Sequence, residues 1–104
     1  MRLLAYHLSI ELITNLGPTL AIIQRHDASL ARQLRRALAS VPLNVAEGNG
    51  RVGGDRQHHM RIALGSLREC GAALDVAVAF GWLDVAPLFP ERDRLAGLLY
   101  GLQR

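Results

Sequence analysis

The chain has 104 residues, of which half are hydrophobic and a fifth are charged. This is the size of one domain with one modest core, and the composition excludes general disorder. The single cysteine, Cys70, excludes an internal disulfide and a zinc site built from several cysteines. The longest apolar stretch, residues 76–83, is too short to span a membrane. Polar residues interrupt the apolar residues at the N-terminus, so we expect no signal peptide. We also expect no membrane partner, and the single cysteine favours a cytoplasmic location.

The formal net charge is +3, and every basic residue is arginine. All of the excess lies in residues 1–52, which hold six arginines and three acids, whereas residues 53–104 hold six of each. Arg32, Arg35 and Arg36 lie close together in this first half. The guanidinium fork suits phosphate groups and buried carboxylates, although a GC-rich genome explains the use of arginine equally well.

Leucine and alanine together contribute 33 residues against 13 β-branched ones, which favours helix over sheet. The first helix is predicted from about Leu3 to Gln24. Gly17-Pro18 should kink or split it, because proline lacks the backbone donor and clashes with the preceding turn. Its apolar stripe has helical spacing and consists of Leu8, Leu12, Leu16, Leu20 and Ile23.

The second helix is predicted from about Ala28 to Gly48, with Asp27 as its N-cap because a carboxylate can accept the free amides of a first turn. Pro42 should bend it, and the glycines of residues 48–54 predict a turn after it. Its inner stripe consists of Leu30, Leu34, Leu38, Val41 and Val45.

The third helix is predicted from Asp55, as N-cap, to Phe80, and Gly81 should end it. A fourth, short helix should follow over residues 91–102, after a loop with two prolines. Short connections favour antiparallel neighbours. The predicted fold is therefore an all-α, antiparallel up-down four-helix bundle that forms one domain over residues 1–104.

The third helix has two apolar faces, and a bundle of this size can cover only one of them. The second face predicts an oligomer interface, most simply with another copy of the chain. Its members are Ile62, Ala73, Val76 and Phe80. The alternative is that the fourth helix covers this face.

A polar stripe flanks the leucine face of the second helix and consists of Gln33, Ser40, Asn44, Glu47 and Arg51. We interpret it as a structural hydrogen-bond network that could fix the register of a subunit contact. A ligand or nucleic-acid contact and a solvated face are the alternatives.

Two segments of the chain form a recognisable pattern: residues 40–51 read SVPLNVAEGNGR, and residues 61–69 read RIALGSLRE. Over residues 24–83 the chain resembles small four-helix bundle proteins related to those encoded in intervening sequences of bacterial large-subunit ribosomal RNA genes. That family is also similar to the accessory protein of diversity-generating retroelements. The ordered combination of the two segments makes the resemblance specific.

The resemblance implies an antiparallel four-helix bundle that assembles as a homopentamer, often with a basic surface. In the retroelement branch the pentamer binds nucleic acid and a reverse transcriptase. The resemblance carries over no catalytic residue, and the start of the third helix has His58, His59 and Met60 where the family usually has aromatic residues. The matching polar positions are implied to be structural and are Arg36, Asn44, Glu47, Arg51 and Glu69.

The sequence gives little support for metal binding, catalysis or base stacking. Pairs such as Asp55 and His59 give two metal ligands and hence an incomplete site, so we expect no metal and no cofactor. Cys70 lies in an apolar helix with nothing to lower its pKa, and we expect no enzymatic activity. Trp82 and Phe89 are interpreted as lids on the core rather than as base-stacking platforms, because the chain has few aromatic residues.

The favoured functional hypothesis is an oligomeric helical module that binds RNA or DNA through phosphates. Arg36 could instead pair with Glu47 or Glu69 inside the fold. A protein-interaction scaffold that docks a partner such as a polymerase, and a purely structural assembly, are the alternatives. The candidate phosphate contacts are Arg25, Arg32, Arg35 and Arg36, with Arg51 and Arg56 as secondary contacts.

Overall fold

The computed structural model describes residues 1–85 and 90–104, and four α-helices account for nearly all of them. They are α1 (Arg2–His26), α2 (Ala28–Asn49), α3 (Gly53–Ala79) and α4 (Pro90–Gln103). These residues contain no strand, so the all-α class is confirmed and each helix lies within a few residues of its predicted bounds. None of these helices combines the length and the apolar character needed to cross a membrane.

One residue, Asp27, joins α1 to α2 and serves both helix ends. Its backbone N–H donates to Ile23 O at 2.8 Å, and its carboxylate accepts from Leu30 N at 3.0 Å. The backbone at Asp27 is extended, as an N-cap requires. The predicted cap is thus confirmed, and a single residue connects the two helices.

Gly17-Pro18 was predicted to kink or split the first helix, and the prediction of a split is wrong. Helix α1 continues from Arg2 to His26 with Pro18 inside it. Gly17 and Pro18 are both exposed, as is Thr14 one turn earlier. Water can therefore reach the Thr14 carbonyl that loses its helical partner, so the interruption costs less than it would in the core.

The start of α3 differs from the prediction. Val52 is the N-cap residue, and Asp55 lies in the first turn without capping it. Gly53 adopts a positive φ of 62°, which glycine tolerates and which lets the helix begin ahead of Asp55. The Asp55 carboxylate instead accepts from Arg51 Nη1 at 3.2 Å.

The end of α3 follows the prediction, because Gly81 has a φ of 80° and ends the helix. Gly81 N–H donates to Val78 O and Trp82 N–H donates to Ala77 O, each at 2.9 Å. This pair of bonds is the Schellman arrangement, which satisfies carbonyls that the helix leaves free.

The four helices pack around one apolar core: α2 contacts α1 and α3, and α4 contacts α3 and α1. This packing is compatible with a four-helix bundle. Leu20 and Leu30 are only half-buried at the edge of the predicted stripes. The largest fully buried apolar side chains are Leu12, Leu16, Ile23, Leu34, Val41, Val45, Met60, Cys70, Leu74, Leu95 and Leu99.

Candidate nucleic-acid interface

Four of the six arginines predicted to meet phosphate lie in one twelve-residue stretch around the α1–α2 junction. Arg25, Arg32, Arg35 and Arg36 are all exposed, and we call them the arginine surface. On α2, the last three project from about a third of the helix circumference. Arg35 Nη2 donates to Gln24 Oε1 at 3.3 Å and so reaches across to α1.

The arginine surface has little negative charge to compensate it. The stretch from Arg25 to Arg36 contains one acid, Asp27, whose carboxylate is engaged as the cap of α2. Within residues 1–85 and 90–104, no arginine of this surface lies in an ion pair, and Arg36 pairs with neither Glu47 nor Glu69. Four guanidinium groups are therefore presented to solvent at one junction.

The two secondary candidates are placed differently. Arg51 Nη2 contacts Glu47 Oε1 at 3.0 Å, and Arg51 Nη1 contacts Asp55 Oδ2 at 3.2 Å. The hydrogen bond and charge of Glu47, followed by the charge of Asp55, raise the pKa of the Arg51 guanidinium. Two carboxylates thus compensate Arg51. Arg56 is half-buried, and neither residue joins the arginine surface.

A hydrogen-bond network joins α2 to α3 beside the core. Ser66 Oγ donates to Ser40 Oγ at 2.7 Å, and Asn44 Nδ2 donates to the Ser40 carbonyl at 2.9 Å and to Ser40 Oγ at 3.0 Å. His59 Nδ1 lies 3.1 Å from Asn44 Oδ1, which accepts its proton. All four side chains are half-buried, so the network holds the two helices at a fixed register.

The predicted polar stripe is therefore divided. Ser40 and Asn44 belong to the network, Glu47 and Arg51 form a separate surface ion pair, and Gln33 is exposed. Glu69 is also exposed and stands outside the network.

Ser66 and His59 were missed as members of the network. The sequence does contain a signal for both residues. Ser66 and His59 are seven residues apart and so share one face of α3, just as Ser40 and Asn44, four residues apart, share one face of α2.

The predicted second apolar face of α3 is only partly exposed to solvent. Helix α4 packs against α3 but leaves Ile62 and Val76 at 38% and 40% exposure, and Phe80 at 66%. Ala73 is only 7% exposed, because it packs in the core of its own chain, so including it in an open face is wrong. Leu43 of α2 adds a further exposed apolar side chain, at 68%.

Three aromatic rings stack near the same junction. The Phe80 and Trp82 ring centroids are 4.8 Å apart with planes at 13°, and the His26 and Trp82 centroids are 5.6 Å apart with planes at 7°. Trp82 packs against the core as predicted, whereas His26 and Phe80 are exposed. The stacking itself was not predicted, and Phe89 lies outside the described residues.

The groups that could support catalysis or metal binding are sparse in the part of the chain that the structure describes. That part holds no cluster of three or more histidine, cysteine or acidic side chains that could bind a metal ion. Burial, together with the charge of Glu69, raises the pKa of the Cys70 thiol to about 12. The thiol is therefore protonated at neutral pH and is a poor nucleophile.

A family model of the 23S rRNA-intervening sequence proteins matches residues 1–101. The chain belongs to this family. The resemblance inferred from the two sequence segments is thereby confirmed, and the match extends from the first residue into the last turn of α4. The 23S rRNA-intervening sequence protein match includes the arginine surface, the network and the three stacked rings. No curated protein and no solved structure shows significant similarity to the chain.

Proposed function

We propose that this protein binds the phosphate backbone of RNA or DNA through the arginine surface, without chemistry on the nucleic acid. The observation that carries the proposal is the set of four exposed arginines without carboxylate partners in the described residues. Arginine presents a planar fork that matches phosphate oxygens, and neutralising phosphates releases counterions from the nucleic acid. The family description, which refers to intervening sequences of 23S rRNA, supports a role near RNA.

The proposed binding unit is an antiparallel bundle that self-associates, with five copies as the family resemblance implies. The bond from Asn49 Nδ2, at the end of α2, to Arg2 O, at the start of α1, supports antiparallel neighbours, as does the bond from Gln57 Nε2 to Arg104 O. Exposed Leu43, Ile62 and Val76 support self-association, because it would remove apolar surface from water. Repeating the arginine surface in several copies would raise affinity through effective concentration.

The test compares two variants that lose the same charge. The first replaces Arg32, Arg35 and Arg36 with glutamine, and the control makes the same change at Arg2, Arg68 and Arg94, which are also exposed. Affinity for an RNA strand of about 20 nucleotides is measured by fluorescence anisotropy at low salt.

We expect the first variant to bind roughly tenfold or more weakly than wild type, because it loses direct phosphate contacts. The control should change affinity far less, since it lowers net charge without touching the arginine surface. Equal losses in the two variants would contradict the proposed surface. Absence of wild-type binding at low salt would contradict the function itself.

Protein docking is the second candidate function, favoured by the exposed apolar side chains Leu43, Ile62 and Val76. In the retroelement branch of the resemblance the partner is a reverse transcriptase. If docking is the main role, replacing Ile62 and Val76 with glutamine abolishes binding to a purified reverse transcriptase, and wild type shows no affinity for RNA at low salt.

A further inference from the structure

Three stacked rings lie at the surface, and covering the core does not explain why two of them are exposed. The rings belong to His26, Phe80 and Trp82. We call these three rings the aromatic stack. Their planes lie within 13° of parallel in each contact with Trp82, yet Phe80 is 66% exposed and His26 is exposed as well. Large aromatic side chains usually hide their faces from water, so two open rings on one ordered stack indicate a surface available to another flat ring.

The backbone holds the aromatic stack in place before any ligand arrives. The bonds of Gly81 N–H to Val78 O and of Trp82 N–H to Ala77 O fold the chain back at the end of α3, which brings Trp82 beside Phe80. On the other side, the Asp27 N–H bond to Ile23 O fixes the last turn of α1, which carries His26. Ordering these rings therefore costs little when a ligand binds.

The aromatic stack adjoins the arginine surface. Arg25 precedes His26 in the last turn of α1, and Arg32 is exposed early in α2. Of the acids nearby in sequence, Asp27 is engaged as a cap, and Asp84 is exposed after Trp82. A ligand that combines a flat ring with negative charge would find both partners at this junction.

We propose that the aromatic stack binds an unpaired nucleobase of single-stranded RNA or DNA against the exposed ring face of Phe80, with the adjoining phosphates on Arg25 and Arg32. This inference rests on the proposed function and makes it specific for single strands. A base in a duplex already stacks on its neighbours, so its faces are closed to a protein ring, whereas an unpaired base can stack on an aromatic side chain of the protein.

The experiment uses Trp82, the only tryptophan in the chain, as the reporter. Its fluorescence and the binding affinity are followed with three probes: a single strand of about ten thymidines, the same strand without bases, and a duplex of equal length. The test variant is Phe80→Leu, which keeps an apolar side chain at a mostly exposed position. The control is Tyr100→Leu, which removes an aromatic ring on α4 that is also exposed.

The thymidine strand should quench Trp82 fluorescence, and Phe80→Leu should weaken its binding about 5- to 100-fold, as expected for the loss of one stacked base. Binding of the strand without bases and of the duplex should change less than about twofold, because phosphate contacts remain. Tyr100→Leu should match wild type with all three probes.

The inference is overturned if Phe80→Leu binds the thymidine strand as wild type does, or weakens all three probes equally. It is also overturned if Phe80→Leu lowers the solution mass, since Phe80 would then be a subunit contact. Each of these results leaves phosphate binding by the arginine surface intact. If no probe binds wild type at low salt, the inference and the proposed function both fail.

Discussion

Gly48 of α2 lies so close to Met60 of α3 that a methyl group at Gly48 would be 2.9 Å from Met60 Cε. The same methyl group would lie 3.2 Å from His59 Cβ and 3.4 Å from the Arg56 carbonyl oxygen. Met60 Cε ends a flexible side chain, whereas His59 Cβ is attached directly to the backbone of α3, so full relief of the overlap requires the two helices to move apart. Glycine at this position therefore lets α2 and α3 lie close together, and Ser40 of α2 and Ser66 of α3 form a hydrogen bond between the same two helices.

Gly48→Ala is expected to lower the free energy of unfolding by about 1–2 kcal/mol, because steric overlap outweighs the gain in helix propensity. The matched control is Gly97→Ala in α4, where a methyl group would meet open space. The control should raise the free energy of unfolding by about 0.5–1 kcal/mol. Urea unfolding of the three proteins measures both changes, and stabilisation by Gly48→Ala would contradict the close approach.

Removing both hydroxyls of the Ser40–Ser66 pair should cost less than the sum of removing each one. Ser66→Ala removes the shorter of the two hydrogen bonds that Ser40 Oγ accepts and leaves the one from Asn44 Nδ2, and we expect a loss of about 1 kcal/mol of unfolding free energy. A double-mutant cycle with Ser40→Ala should give a coupling energy of roughly 0.5–1.5 kcal/mol. Strictly additive losses would show that the hydroxyls do not interact.

Cys70 predicts a pH dependence of stability above pH 9. Burial raises the pKa of its thiol from 9.0 to about 12 in the folded chain. Between these values the unfolded chain releases a proton that the folded chain retains, so the free energy of unfolding falls as the pH rises. Below pH 9 both states are protonated, and the thiol contributes no dependence.

The measurement is urea unfolding of wild type and Cys70→Ala at pH 8 and pH 10.5. The stability of wild type relative to the variant should fall by up to about 1.4 kcal/mol per pH unit above pH 9. Other titrating groups cancel in this difference. Parallel pH curves for the two proteins would mean that the thiol ionises as readily in the folded chain as in the unfolded one.

Self-association through the exposed part of α3 predicts a change in solution mass. Replacing Ile62 and Val76 with glutamine should reduce an assembly to single chains of 11.4 kDa, because an apolar contact gains polar side chains without partners. Leu3 and Val85, which are also exposed, provide a control pair for the same change. Analytical ultracentrifugation gives the masses, and wild type running as a single chain would refute self-association.

The features that sequence predicted well depend on short-range chemistry. Asp27 caps α2 and Gly81 ends α3 because a carboxylate near free amides, or a glycine after a helix, acts within a few residues along the chain. The helix bounds and the leucine stripes follow from the same local periodicity. The family resemblance was carried by two contiguous segments, and the match over residues 1–101 confirms it.

The features that sequence missed depend on where the helices meet. Asp55 had a suitable position for a cap, but Gly53 begins the helix earlier and Arg51 takes the carboxylate. His26 and Trp82 lie on different helical segments far apart in the chain, so no periodicity could bring their rings together. Ala73 shares an angular position with Ile62, yet the core encloses its small side chain while leaving Ile62 half open.

The salt dependence of RNA binding tests the central claim, contact between the arginine surface and phosphate, most directly. The affinity of wild type for a single strand should fall with salt, and replacing Arg32, Arg35 and Arg36 with glutamine should reduce the slope of log affinity against log salt by about 2. Arg51→Gln should leave the slope unchanged, since Glu47 and Asp55 already compensate that charge. A slope that is the same in wild type and the triple variant would contradict the account.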